Sequence, residues 1–158
     1  MASMIQEAVG GRLVELELEK PYPTDYQAIV KQVQKENEEG FLPLLKTNIS
    51  DLEGYDYVFL GFPTWGMRMP PPMKSFLSTH DLSGKTVIPF NTNAGYGVGT
   101  GFDTVSELCP DSEILSGFSV KGGVERDGVL FVMEGQKAKK VQAQLVDWLK
   151  EINLLKEK

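Results

Sequence analysis

Two apolar strands of this chain each end in a loop that carries an aromatic ring among small residues. Val58-Phe59-Leu60-Gly61-Phe62 runs into Pro63, Thr64, Trp65, Gly66 and Met67. Thr86 to Phe90 runs into Asn91, Thr92, Asn93, Ala94, Gly95, Tyr96 and Gly97. Each is a short β-branched or aromatic run followed by turn residues, which predicts a strand and its loop. In open α/β sheets the crevice outside the carboxyl ends of the strands holds ligands, and an indole there offers a flat apolar face. Two such loops facing each other form a slot for a planar ligand. Glycines would let backbone N–H groups approach its polar edge, although the same glycines also serve turn geometry. No side chain in this pattern is required to act as a catalytic acid, base or nucleophile.

Other chemistries find less support. One His and one Cys do not make an ordinary zinc site, so no metal ligands are assigned. His80-Asp81 has no nucleophile to serve and reads as the end of a helix. Cys109, at the end of a helix, reads as a small buried apolar residue. Gly95, Gly97, Gly99 and Gly101 alternate without the G-x-G-x-x-G spacing of a dinucleotide fingerprint. A phosphate-receiving signalling domain needs clustered carboxylates at strand ends, where this chain has Pro63 and Asn91.

The elements that must position the loops follow from periodicity. Met1, Met4, Ile5 and Ala8 share one face of a first helix that stops at Gly10. Arg12 to Leu18 alternates, with Val14, Leu16 and Leu18 opposite Glu15 and Glu17, which predicts a half-covered edge strand closed by Pro21-Tyr22-Pro23. Tyr26, Ile29, Val30 and Val33 predict a helix to Gly40, capped by Thr24 or Asp25. Strand Tyr57 to Gly61, a helix begun by Pro70-Pro71-Pro72, strand Thr86 to Phe90, helix Phe102 to Cys109, strand Ile114 to Val120 and helix Gln136 to Leu155 complete the order. Val141, Leu145, Trp148, Leu149, Ile152 and Leu155 form one stripe of the last helix, so Trp148 is expected to pack in the core. Strands alternating with helices predict parallel pairing in a three-layer αβα sandwich, a single domain over residues 1–158.

The strand Tyr57 to Gly61 and the loop Pro63-Thr64-Trp65-Gly66-Met67 resemble the flavodoxin family, including its quinone-reductase-like relatives. Thr92, Asn93, Ala94, Gly95, Tyr96 and Gly97 match that family's second ring loop more loosely. The resemblance covers most of the chain, from about Leu13 to the C-terminal helix. It implies an open parallel sheet, FMN as cofactor, ring contacts from these eleven residues, and electron transfer or oxidoreductase activity. A redox partner protein or a small-molecule electron acceptor follows from that activity. The family's apolar first strand and its Ser/Thr-Gly-Asn-Thr phosphate loop have no counterpart before the first helix, so the N-terminal strand is expected to be absent or replaced. Hydrogen bonds to a charged group contribute about 1.5–3 kcal/mol each, so phosphate binding is expected to be impaired.

Three explanations stay open: a truncated record of a longer flavodoxin, a domain refolded without that strand, or a strand supplied by a partner, in which case a homodimer follows. Gly122 to Met133 holds an Asp-Gly turn and then five apolar residues, which fits a hairpin or a strand entering the vacated slot. The alternative function is a binding or interaction module that keeps the fold without using a flavin.

Composition bounds the partners. The net charge of −6 and the absence of basic runs argue against nucleic acid and anionic membranes, and an acidic surface would suit basic redox partners. A lone cysteine and no apolar span of about 18 residues fit a cytoplasmic protein.

Overall fold

The computed structural model describes residues 1–130 and 132–155. Its sheet is built on β1 (Tyr57–Pro63) and β2 (Thr86–Asn93), which run parallel in register from Tyr57↔Thr86 to Pro63↔Thr92. The other edge of β2 carries two short parallel strands, β3 (Glu113–Ile114) and β4 (Phe118–Lys121). Sequence periodicity predicts one strand from Ile114 to Val120, and the division has a physical cause in Pro89. Residue 89 faces β3 and β4 but has no N–H to donate, so the ladder is interrupted opposite it. The register moves from Val87↔Ile114 to Phe90↔Phe118, three steps along β2 against four on its neighbour. The extra residue is a bulge. Its freed Ser116 carbonyl accepts the indole N–H of Trp148 at 2.8 Å.

Helices cover both faces. On one side α1 (Ala2–Val9) and α5 (Gly135–Glu151) pack Ile5, Leu145, Trp148 and Leu149 against Ile88 and Phe90. On the other, α3 (Pro71–Thr79) and α4 (Gly101–Leu108) join Met73, Phe76, Leu77 and Val105 to Leu60, Phe62 and Val87. α2 (Tyr26–Glu39) lies against α3, begun by Asp25, whose carboxylate accepts the Ala28 N–H at 2.9 Å, and ended by Gly40 at φ 64°. The result is the three-layer open parallel sheet expected. Gly61 is required by close approach: a Cβ there would lie 2.1 Å from the Phe90 ring.

Two expectations change. Arg12 to Leu18 does not join the sheet. It pairs instead with the stretch after α2, through a Leu18↔Leu45 bridge and bonds from Lys46 N and Thr47 N to the Glu17 carbonyl. Alternation reports one covered face, and packing of Leu16 on the α3/α4 side core provides it without a sheet neighbour. The second edge of β1 thus has no backbone partner among the described residues. Asp56 O and Thr64 N both bond to β2, and alternate residues of a parallel strand face the same neighbour. Val58, Leu60 and Phe62 therefore face β2, whereas Tyr57, Phe59, Gly61 and Pro63 face the open side. The described residues of Gly122 to Met133 form a small hairpin, with Val124 paired to Val129 around a turn at Glu125–Asp127, and none pairs with β1. Phe131, in the middle of the stretch read as a slot-filling strand, lies outside the described residues.

Candidate functional site

The loop after β1 is a two-residue hairpin. Trp65 and Arg68 exchange N–H···O bonds of 3.0 Å each, and the central residues Gly66 and Met67 both take positive φ, 55° and 61°. That is the type I′ pattern, in which an L-residue such as Met67 is strained. The strain is held by the second loop: the Met67 carbonyl accepts the Thr100 N–H at 3.0 Å. It also lies so near Gly99 that a Cβ there would sit 2.0 Å from the oxygen.

Beneath the loops lies a polar clasp. Sequence reasoning places Asn91, Thr92 and Asn93 in a loop, but β2 continues through all three, because Asn91 satisfies its amide inside the sheet. Asn91 is fully buried and donates to the Phe62 carbonyl at 2.9 Å and to Thr64 Oγ1 at 3.0 Å. Its Oδ1 accepts from Asn93 Nδ2 and from Ser119 Oγ, both at 3.2 Å. Thr64 Oγ1 donates to the Gly97 carbonyl at 2.9 Å, and the Thr64 N–H bonds to the Thr92 carbonyl at 2.9 Å. Asn93 Oδ1 accepts from Gly95 N at 2.8 Å and Gly97 N at 3.2 Å. The structure thus brings Pro63–Met67 and Thr92–Gly97 together, with Asn91 and Ser119 as members that sequence reasoning missed.

The clasp also corrects which amides face outward. Gly95 and Gly97 N–H groups turn inward to Asn93, whereas those of Gly66, Met67, Ala94 and Tyr96 have no protein acceptor among the described residues. Tyr96 is exposed at the tip of its loop. Lys121 runs along Gly95, its Nζ 3.5 Å from where a Cβ would be. Arg126 is held charged chiefly by its bond to Asp127 and further by Tyr96.

Around Trp65 the neighbours come from elements remote in sequence. The Tyr22 ring meets the indole in a T-shaped contact, centroids 5.4 Å apart at 84°. Its hydroxyl donates to buried Glu36, which also accepts from Gln32 at 2.8 Å. Burial first, and then the Glu36 bond, push the Tyr22 hydroxyl far above the ordinary tyrosine range. Lys74 of α3 donates to Asn37 at 3.0 Å, and burial, followed by the charge of Arg68, lowers its pKa.

The remaining reactive side chains stand apart. His80 ends α3 and stacks on Phe76 with centroids 4.4 Å apart. Cys109 is buried, which pushes its thiol pKa up. Among the described residues no group of His, Cys, Asp and Glu is arranged to hold a metal, and no helix is long and apolar enough to cross a membrane.

An open parallel sheet between helical layers, with two latched loops at the carboxyl ends of adjacent strands, defines a flavodoxin-like protein. The flavodoxin family model matches residues 1–135, and the chain belongs to that family. Among solved structures, a protein of Bacteroides eggerthii designated a flavoprotein is similar over 98% of this chain and 88% of its own, with a TM-score of 0.73 at 23% identity. A similarly designated protein of Bacteroides uniformis gives 0.68 at 25% identity, covering 79% of this chain and 83% of that one. A flavoprotein of Lactobacillus acidophilus, solved in complex with FMN, gives 0.64 at 19% identity over 80% and 85% of the two chains. No match is found among curated proteins.

Proposed function

We propose that this chain binds FMN through its ring at the two latched loops and serves as a flavin-dependent redox protein, either an electron carrier or an oxidoreductase. The observation that carries this function is the Thr64–Asn91–Asn93–Gly97 clasp, which fixes two ring-bearing loops side by side at the end of the sheet. Family membership supports the cofactor, and the Lactobacillus neighbour was solved with it. When bound, FMN supplies one- or two-electron transfer.

The chain's own part is to bind and orient. Pro63, Trp65 and Tyr96 offer apolar faces, and the unpaired amides of Gly66, Met67, Ala94 and Tyr96 suit the polar edge of the ring. The helices that follow β1 and β2 offer a phosphate fewer donors. α3 opens at Pro70-Pro71-Pro72, residues without N–H groups, and Gly101 N at the start of α4 already bonds to Val98 O. That shortage favours the ring over the phosphate as the main handle, and it is what recommends the second function, a flavodoxin-fold binding module that does without flavin.

Titration with FMN and with riboflavin, followed by quenching of flavin fluorescence at several protein concentrations, separates these. A clear FMN preference means that a phosphate site is assembled, within the chain or across a homodimer if affinity rises with protein concentration. Equal binding of both flavins leaves the ring slot alone. No binding of either removes the redox function and leaves the binding module.

A further inference from the structure

We propose that Tyr22, held by Glu36, is a positioning residue for the Trp65 indole, so that α2 sets the orientation of one wall of the ring slot. This positioning deepens the ring-slot function proposed above and rests on it. Tyr22 stands between Pro21 and Pro23; each proline fixes its own φ and keeps the preceding residue extended, so the backbone that carries the phenol is stiff. The ring meets Trp65 at 84°, and the described aromatic contacts give the indole no other ring neighbour. A T-shaped contact fixes the plane of both rings.

Rotation of the phenol is blocked at its far end by Glu36. That carboxylate is 6% exposed, and its oxygens are met by the Tyr22 hydroxyl and Gln32 Nε2. A buried polar group needs hydrogen-bond partners, so the hydroxyl is held in place by the cost of leaving Glu36 unsatisfied. The next residue, Asn37, accepts from Lys74, which ties α2 to the helix that follows the Trp65 loop. The indole is therefore set from two sides: by its own hairpin turn, and by a phenol anchored on α2.

The test uses the whole chain labelled with 5-fluorotryptophan, whose two ¹⁹F resonances, Trp65 and Trp148, are assigned with Trp65→Phe. Tyr22→Phe keeps the ring and removes the hydroxyl, Tyr22→Ala removes both, and Glu36→Ala removes the anchor without touching the indole. All three are expected to move the Trp65 resonance and leave that of Trp148 in place, which also shows that the fold persists. Adding Glu36→Ala to Tyr22→Phe is expected to add nothing further, as for two members of one unit. Where flavin binds, the variants lose about three- to tenfold in affinity, equally for FMN and riboflavin, because the ring and not the phosphate is affected. An unmoved Trp65 resonance in Tyr22→Ala, or independent effects of Tyr22→Phe and Glu36→Ala, overturns the proposal. Should the parent protein bind neither flavin while the Trp65 resonance responds as stated, the positioning stands and the flavin function falls.

Discussion

Asn91 is the residue on which the site depends. A fully buried amide with donors and acceptors on three segments ties Phe62, Thr64, Asn93 and Ser119 into one unit. Asn91→Ala removes the hydrogen bonds to all four at once, each contributing about 0.5–1.5 kcal/mol, so a fall of about 1–3 kcal/mol in urea unfolding is expected. Asn93→Ala acts differently. It frees the Gly95 and Gly97 amides while the core stays intact, so flavin affinity should drop with little change in unfolding midpoint. The apolar runs and their turn residues announce Trp65 and Tyr96 in the sequence. Asn91 and Tyr22 were illegible because the contacts that join them to the loops, Asn91 with Phe62, Thr64 and Ser119 and Tyr22 with Trp65, link residues far apart in sequence, and local periodicity carries no record of such pairings.

At the scale of elements, helix boundaries were largely legible: Asp25 and Gly40 bracket α2, and the proline run opens α3 as capping rules require. Strand boundaries were not. The break between β3 and β4 is imposed by Pro89 on a neighbouring strand, and within Ile114–Val120 its one sign is Gly117, a residue type that often marks a bulge. Trp148 completes that break by bonding the Ser116 carbonyl and packing on Phe59 and Phe118. Trp148→Phe is expected to cost about 1–3 kcal/mol in thermal or urea unfolding, from the lost bond and looser packing. The paired arm of Glu17 and Lys46 gives a pH signature. The Lys46 bond and charge hold the Glu17 carboxyl below the ordinary glutamate range. A carboxyl with a lower pKa folded than unfolded stabilises above its unfolded value, and that contribution fades as pH falls through the folded value. Glu17→Gln should therefore be slightly less stable than the parent at neutral pH and equal to it once the pH has fallen through the folded value, with the gap shrinking in salt because both groups are exposed.

For the whole molecule, two apolar cores on opposite faces of a narrow sheet preserve the family architecture at 23% identity to the Bacteroides eggerthii structure. Gly61 shows how tight the join between them is: with Phe90 across it, Gly61→Ala should destabilise by about 1–3 kcal/mol, read from the urea midpoint. The open side of β1 has a consequence in time as well as in space. Amide protons facing β2 leave only when the sheet opens, whereas those facing outward meet water directly. Deuterium should enter β1 with a period of two: slowly at Val58, Leu60 and Phe62, quickly at Tyr57, Phe59 and Gly61, with Pro63 silent. If a second strand lies along that edge in solution, at high protein concentration or beside a partner, the alternation disappears and the fast set slows to match the slow one. The isotope clock of these few amides thus reports whether the sheet ends at β1.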